Sequence, residues 1–91
     1  MKIYKYQLEI TDRQDLYLPK NSRVLSAKEQ DGILCVWVQL NEAELEDKYT
    51  FYIFGTGTSP DMSVKLSTAY VDSVIMANGL VWHVFYKTQG Y

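Results

Sequence analysis

A chain of 91 residues with nine basic and eleven acidic side chains carries a formal net charge of −2, and its length fits one domain, residues 1–91. That balance supplies no electrostatic footprint for DNA or RNA and no polybasic patch for a membrane surface, and it is too mild for an acidic mimic of DNA. Eight Tyr, three Phe and two Trp are many for this length, and because such side chains favour pleated, half-buried surfaces the expected class is all-β.

The first expected strand runs from Ile3 to Ile10, where Tyr4, Tyr6, Leu8 and Ile10 alternate with Lys5, Gln7 and Glu9 in the period-2 pattern of a half-buried strand. The opening stretch lacks the order of a secretion signal, and no run approaches the roughly 20 apolar residues of a membrane span. With a single cysteine, Cys35, no internal disulfide can form, so a reducing, cytoplasmic setting is expected. Asp15 to Leu18 reads as an edge strand ended by Pro19, which has no amide to donate.

Arg23 to Gln30 and Ile33 to Leu40 flank Asp31-Gly32, and a two-residue type I′ loop there sets Ser26 opposite Trp37, Ala27 opposite Val36 and Lys28 opposite Cys35. Ile33 to Val38 is apolar throughout, which predicts a central strand covered on both faces, with Cys35 serving as a small hydrophobe. Its partner, where Ser26, Lys28 and Gln30 alternate with Leu25 and Ala27, keeps one face wet. Asn41 to Asp47 is acidic and long enough for only a turn or two of helix. Glu42, Glu44, Glu46 and Asp47 lack the spacing and glycine of an EF-hand loop, so a solvated loop is expected there and no metal site.

Tyr49 to Phe54 is aromatic on both faces and predicts an inner strand running into Gly55-Thr56-Gly57-Thr58-Ser59-Pro60-Asp61. Two glycines one residue apart among small hydroxyl side chains can turn backbone amides toward an anion. The Lys-Ser/Thr ending of a Walker A loop and a following helix are missing, and plain turn chemistry explains the loop as well. Met62, Val64 and Leu66 alternate as a possible short strand before Thr68 to Met76 enters the closing hairpin. With Asn78-Gly79 as a two-residue loop, Ile75 faces Trp82, Val74 faces His83 and Ser73 faces Val84, which places Trp82 and His83 on opposite faces. The polar tail Lys87 to Tyr91 is expected to fray.

A nucleophilic triad needs a base beside its nucleophile, and His83 is the chain's one histidine. On an apolar strand a lone histidine reads first as a packed, hydrogen-bonded residue, so no catalytic set is assigned. One His and one Cys fall short of four zinc ligands, so neither a metal nor a cofactor is expected. The tyrosines are the larger signal. A domain this small cannot hide eight of them beside two tryptophans, so aromatic surface should remain outside for a subunit interface or a pocket. Of the basic residues, Lys48, Lys65 and Lys87 lie near the implicated elements.

Several motifs in order resemble a known family: the opening Lys2-Ile3-Tyr4-Lys5-Tyr6, Leu18-Pro19 before Val24-Leu25-Ser26, Gly32 before Cys35-Val36-Trp37, the Phe54-Gly55-Thr56-Gly57 loop, and the ending Gly79-Leu80-Val81-Trp82-His83-Val84-Phe85. The chain is similar over its whole length to small uncharacterised proteins encoded by bacteriophages and prophages, grouped as a domain of unknown function. Two departures stand out. Family members often have His-Pro soon after Gly-Thr-Gly, where this chain has Thr58-Ser59-Pro60, and Tyr86 stands where an acidic residue is common. The resemblance implies a phage-encoded accessory protein in the host cytoplasm, a setting in which small proteins counter host defence by blocking a defence protein or sequestering a nucleotide signal.

The sequence therefore predicts an all-β antiparallel sandwich or barrel of about six or seven strands, built from hairpins and assembling as a homo-oligomer. The expected function is non-enzymatic binding of a nucleotide or a host defence protein at Tyr52, Gly55, Thr56, Gly57, Thr58, Trp82 and His83. A virion structural or assembly protein is the alternative from another class, and a small hydrolase or lyase using His83 with a loop hydroxyl is a third reading.

Overall fold

Asp31 and Gly32 both adopt positive φ, 53° and 81°, which is the conformation a type I′ turn demands and which Asp and Gly tolerate with little strain. The computed structural model, which describes residues 1–60, 64 and 67–89, builds seven strands around this and one further hairpin. They are β1 (Lys2–Gln7), β2 (Arg13–Pro19), β3 (Arg23–Gln30), β4 (Ile33–Leu40), β5 (Glu46–Gly55), β6 (Ala69–Ile75) and β7 (Val81–Thr88). Every pairing is antiparallel. One sheet has the order β1-β4-β3 and the other β2-β5-β7-β6. Both sheets are open, so of the two expected all-β forms the chain takes the sandwich and not the barrel.

The β3–β4 register is the expected one, with Ser26 against Trp37, Ala27 against Val36 and Lys28 against Cys35. A bulge between Val24 and Ser26 spends one extra residue, so Val24 and Ala27 point inward while Leu25 is left exposed. The simple alternation expected through Leu25 therefore fails. β4 is central, and Leu34, Val36, Val38 and Leu40 form the inner face of its sheet, meeting Tyr49, Phe51 and Ile53 of β5 and Val84 of β7 in one core. Leu18, on the edge strand expected before Pro19, is also fully buried there.

β1 ends at Gln7, not Ile10. Leu8 still donates its amide to Leu34 O at 2.8 Å and is buried, whereas Ile10 lies beyond the ladder and is exposed. The tail does not fray at Lys87. Lys87 and Thr88 pair with β5, and Gln89 N donates to Lys48 O at 3.1 Å. The strand expected through Met62, Val64 and Leu66 lies mostly outside the described residues, and Val64 itself has helical backbone.

The closing hairpin departs from expectation by one residue. Asn78 keeps negative φ and only Gly79 turns left-handed, at 89°. Met76 N donates to Leu80 O at 2.8 Å and Gly79 N to Met76 O at 2.9 Å, so Ala77, Asn78 and Gly79 form a three-residue loop with glycine at the left-handed position. The observed partners are Ile75 with Val81, Val74 with Trp82 and Ser73 with His83. Trp82 and His83 still occupy opposite faces, because the side-chain period along a strand is two whatever the register.

The sheets join at a seam where β3 lies beside β6 and side chains replace a backbone ladder. Asp72 Oδ2 accepts from Ala27 N at 3.2 Å and meets Lys28 Nζ at 3.5 Å. Glu29 Oε1 accepts from Ala77 N at 2.8 Å. Opposite, Tyr49 ties β5 to the turn after β2: its phenol oxygen accepts from Ser22 N at 3.0 Å and donates to Ser22 O at 3.2 Å. Burial raises the Tyr49 pKa above its ordinary value of 10.0.

Candidate functional site

β7 divides the candidate residues between two faces. Trp82 turns inward and packs against the core. Its cross-strand partner is Gly55, where an added Cβ would come within 3.2 Å of Trp82 Cζ3; the glycine is there to let the indole approach the backbone. His83 turns outward. Its Nδ1 lies 2.7 Å from Ser73 Oγ and its Nε2 lies 2.8 Å from Thr56 Oγ1, while Tyr70 OH lies 2.7 Å from the same Ser73 oxygen. A neutral imidazole donates from one nitrogen and accepts at the other, so hydroxyls satisfy both.

The Gly55 to Thr58 loop closes on itself. Thr58 N and Thr58 Oγ1 both donate to Gly55 O, at 3.2 Å and 2.8 Å, and Gly57 takes the left-handed position at φ 94°. Thr56 N donates to Val81 O at 3.4 Å. Of the Gly55 to Thr58 amides expected to turn toward an anion, those of Thr56 and Thr58 are thus engaged within the protein, which is the turn chemistry that the loop's composition also allows.

Around this loop opens a cleft of about 880 Å³ whose lining includes Arg13, Tyr52, Phe54, Gly55, Thr56, Thr58, Leu80 and Trp82. Five of the seven expected site residues meet there: Tyr52, Gly55, Thr56, Thr58 and Trp82. Gly57 and His83 are not on its wall, although His83 reaches it through Thr56.

An aromatic band crosses the outer face of the second sheet. Tyr52 stacks on Phe54 with centroids 6.3 Å apart, Phe54 meets Phe85 at 5.9 Å, and Phe85 meets Tyr70 edge-on at 5.5 Å. Lys87 Nζ stands 5.7 Å from the Tyr52 ring centroid, within cation–π range. The expected aromatic surface exists, since Tyr70 is 58% exposed and Tyr17 61%.

Arg13, Ser73 and Tyr70 were not among the expected site residues. Arg13 lies between the expected strands, before the edge strand that begins at Asp15, and the two-residue loop pairs Ser73 with Val84. A three-residue reading of Ala77-Asn78-Gly79 would have put Ser73 beside His83.

The acidic loop goes elsewhere. Glu42 bonds the Tyr4 hydroxyl and pairs with Lys2 at 3.0 Å, and the Tyr4 hydrogen bond, then Lys2, holds its carboxyl below the usual range. Among the described residues no three His, Cys, Asp or Glu side chains gather as a metal centre requires. No helix among them is long and apolar enough to cross a membrane.

Compared with known proteins, residues 1–91 match one family, described as a domain of unknown function, DUF7352. No curated protein and no solved structure matches the chain.

Proposed function

The chain belongs to the DUF7352 family, and from that premise we propose that it is a non-enzymatic binding protein whose cleft captures a small nucleotide. The observation that carries this reading is the composition of the cleft wall: the aromatic residues Tyr52, Phe54 and Trp82 and the basic Arg13 all line one space of about 880 Å³. That volume falls among ligand clefts, which are mainly apolar with a few polar groups that orient the ligand. A nucleobase stacked on such a side chain gains on the order of 1–3 kcal/mol. Sequestration needs only this affinity and no turnover. In a phage-encoded protein of the host cytoplasm it would withdraw a nucleotide signal from host defence, either in the monomer or between subunits of a homo-oligomer.

A ligand that binds only the folded state raises the melting temperature by mass action. Thermal unfolding of the full chain with a panel of cyclic, dinucleotide and ADP-ribose compounds should therefore give a dose-dependent rise for at least one, abolished in Trp82→Ala. No shift across the panel at millimolar concentration would sink the proposal.

One arrangement favours a second reading, a small hydrolase. Ser73, His83 and Thr56 lie in line at 2.7 Å and 2.8 Å, which is the spacing of a nucleophile, a base and an orienting acceptor. The orienting group is a neutral hydroxyl, so it lends the imidazolium no charge, and this ranks the reading second. Ester or phosphoester turnover lost in both Ser73→Ala and His83→Ala, with melting curves unchanged, would promote it.

A further inference from the structure

We propose that the phosphate of the captured nucleotide is held by Arg13, Lys48 and Lys87 on the outer face of the second sheet, and not by the Gly55 to Thr58 loop. This deepens the nucleotide reading of the cleft and rests on it. The ligand class becomes a nucleotide whose base lies in the cleft and whose phosphate extends along the sheet.

The loop is unsuited because the Thr56 and Thr58 amides and hydroxyls already have partners. The cations are better placed. Thr50 pairs with Asp15 on one side and Lys87 on the other, and Lys48 precedes Thr50 on the same face by two residues. Arg13 pairs with Tyr52, the next residue of that face. Three strands thus deliver three cations around one threonine, and they line a recess of about 260 Å³ together with Thr50, Thr88 and Gln89.

No described carboxylate forms an ion pair with these cations; the described pairs are Lys2 with Glu42 and Lys28 with Asp72. Asp15, on the same face, accepts from Thr50 Oγ1 at 2.8 Å, and the four side chains Arg13, Lys48, Lys87 and Asp15 together carry a formal +2. On a chain whose net charge is −2, that is a local reversal of sign, and it draws anions to this recess.

Recess and cleft adjoin at one residue. Arg13 lines both, and Tyr52 lies in the cleft wall with Lys87 Nζ over its ring. A base in the cleft beside Arg13 would therefore leave its phosphate within reach of a guanidinium suited to two-pronged contact and of two ammonium groups.

The test is titration calorimetry on the full chain with the ribonucleosides and their 5′-monophosphates, in wild type, Lys48→Gln/Lys87→Gln and Lys2→Gln. The double variant should bind the monophosphate at least about tenfold more weakly, since each charge-assisted bond lost is worth that factor or more. Its affinity for the matching nucleoside should be unchanged, as should both affinities in Lys2→Gln, which removes a cation of the other sheet. If the double variant binds the monophosphate as wild type does, the phosphate seat is overturned while the cleft reading stands. If wild type binds neither nucleoside nor monophosphate, both fall.

Discussion

The two hairpins share an apparent turn signal, Asp-Gly in one and Asn-Gly in the other, yet they close differently. In β3–β4 both turn residues go left-handed, the loop has two residues, and the register follows directly. In β6–β7 only Gly79 does so, Ala77 joins the loop, and Asn78 Oδ1 accepts from Leu80 N at 3.0 Å. The side chain of Asn78 thus stabilises a turn in which its own backbone stays right-handed, as Asx residues commonly do. One residue of slippage leaves each face's membership intact but changes the neighbours. Here it moves Ser73 alongside His83 and builds the outward hydroxyl line. The first hairpin supplies the fold's centre, and the second supplies the candidate site.

The largest expected effect tests that division of labour. Leu34, 1% exposed and second after its turn, and Leu80, 54% exposed and first after its own, are the leucines that follow the two turns. Leu34→Ala should cost about 3 kcal/mol by leaving a core cavity, and Leu80→Ala should stay within about 0.5 kcal/mol. Urea unfolding of both variants measures this, and equal losses would break the contrast.

Next is the seam through which the hairpins touch. Asp72→Ala leaves the half-buried Ala27 amide without its acceptor and should cost about 2 kcal/mol, while Asp72→Asn should recover part of that. A neutral Asp72→Ala would mean that the hairpins adhere by apolar packing alone. Tyr49, outside both hairpins, is the reference. Tyr49→Phe should cost about 1 kcal/mol by removing the phenol's bonds to Ser22 N and Ser22 O, the Ser22 amide keeping Pro19 O as its acceptor. Because burial raises the folded pKa of this phenol above 10.0, the unfolded chain loses the proton first as pH rises. The stabilisation is therefore complete below pH 10 and declines as pH climbs through the folded pKa. The decline should flatten in Tyr49→Phe; an unchanged alkaline slope would assign it to other groups.

What was legible in the sequence was the existence of the inner strands and the first turn. The unbroken apolar run Ile33 to Val38 and the aromatic run Tyr49 to Phe54 mark two inner strands without telling which residues face the core, and the Asp31-Gly32 register needs only the turn's own chemistry. Bulges are not legible in this way. The extra residue near Leu25 and the one between Tyr70 and Asp72 are settled by how β3 and β6 meet across the seam, which is a tertiary matter. The site was half legible for the same reason. Tyr52, Gly55, Thr56, Thr58 and Trp82 converge because the ends of β5 and β7 are neighbours. Arg13 enters from β2, a strand with no turn signal linking it to either, and Ser73 through a register that only the three-residue loop sets.

The smallest effect addresses the turns themselves. Asp31 holds φ at 53°, a region where a side chain without local hydrogen bonding is disfavoured, so Asp31→Ala should cost about 1 kcal/mol. Asn78 stays out of that region, and Asn78→Ala loses only the exposed bond to Leu80 N, for about 0.5 kcal/mol at most. Gly32→Ala and Gly79→Ala should be alike, because each glycine is left-handed and an added Cβ meets nothing within 4 Å at either. The informative quantity is therefore the difference between Asp31→Ala and Asn78→Ala, measured by thermal unfolding with the glycine pair as the internal scale. If Asn78→Ala proved the costlier of the two, Asn78 would be bearing left-handed strain. The loop would then have two residues, and Ser73 would be paired away from His83, dissolving the hydroxyl line along with the hydrolase reading that rests on it.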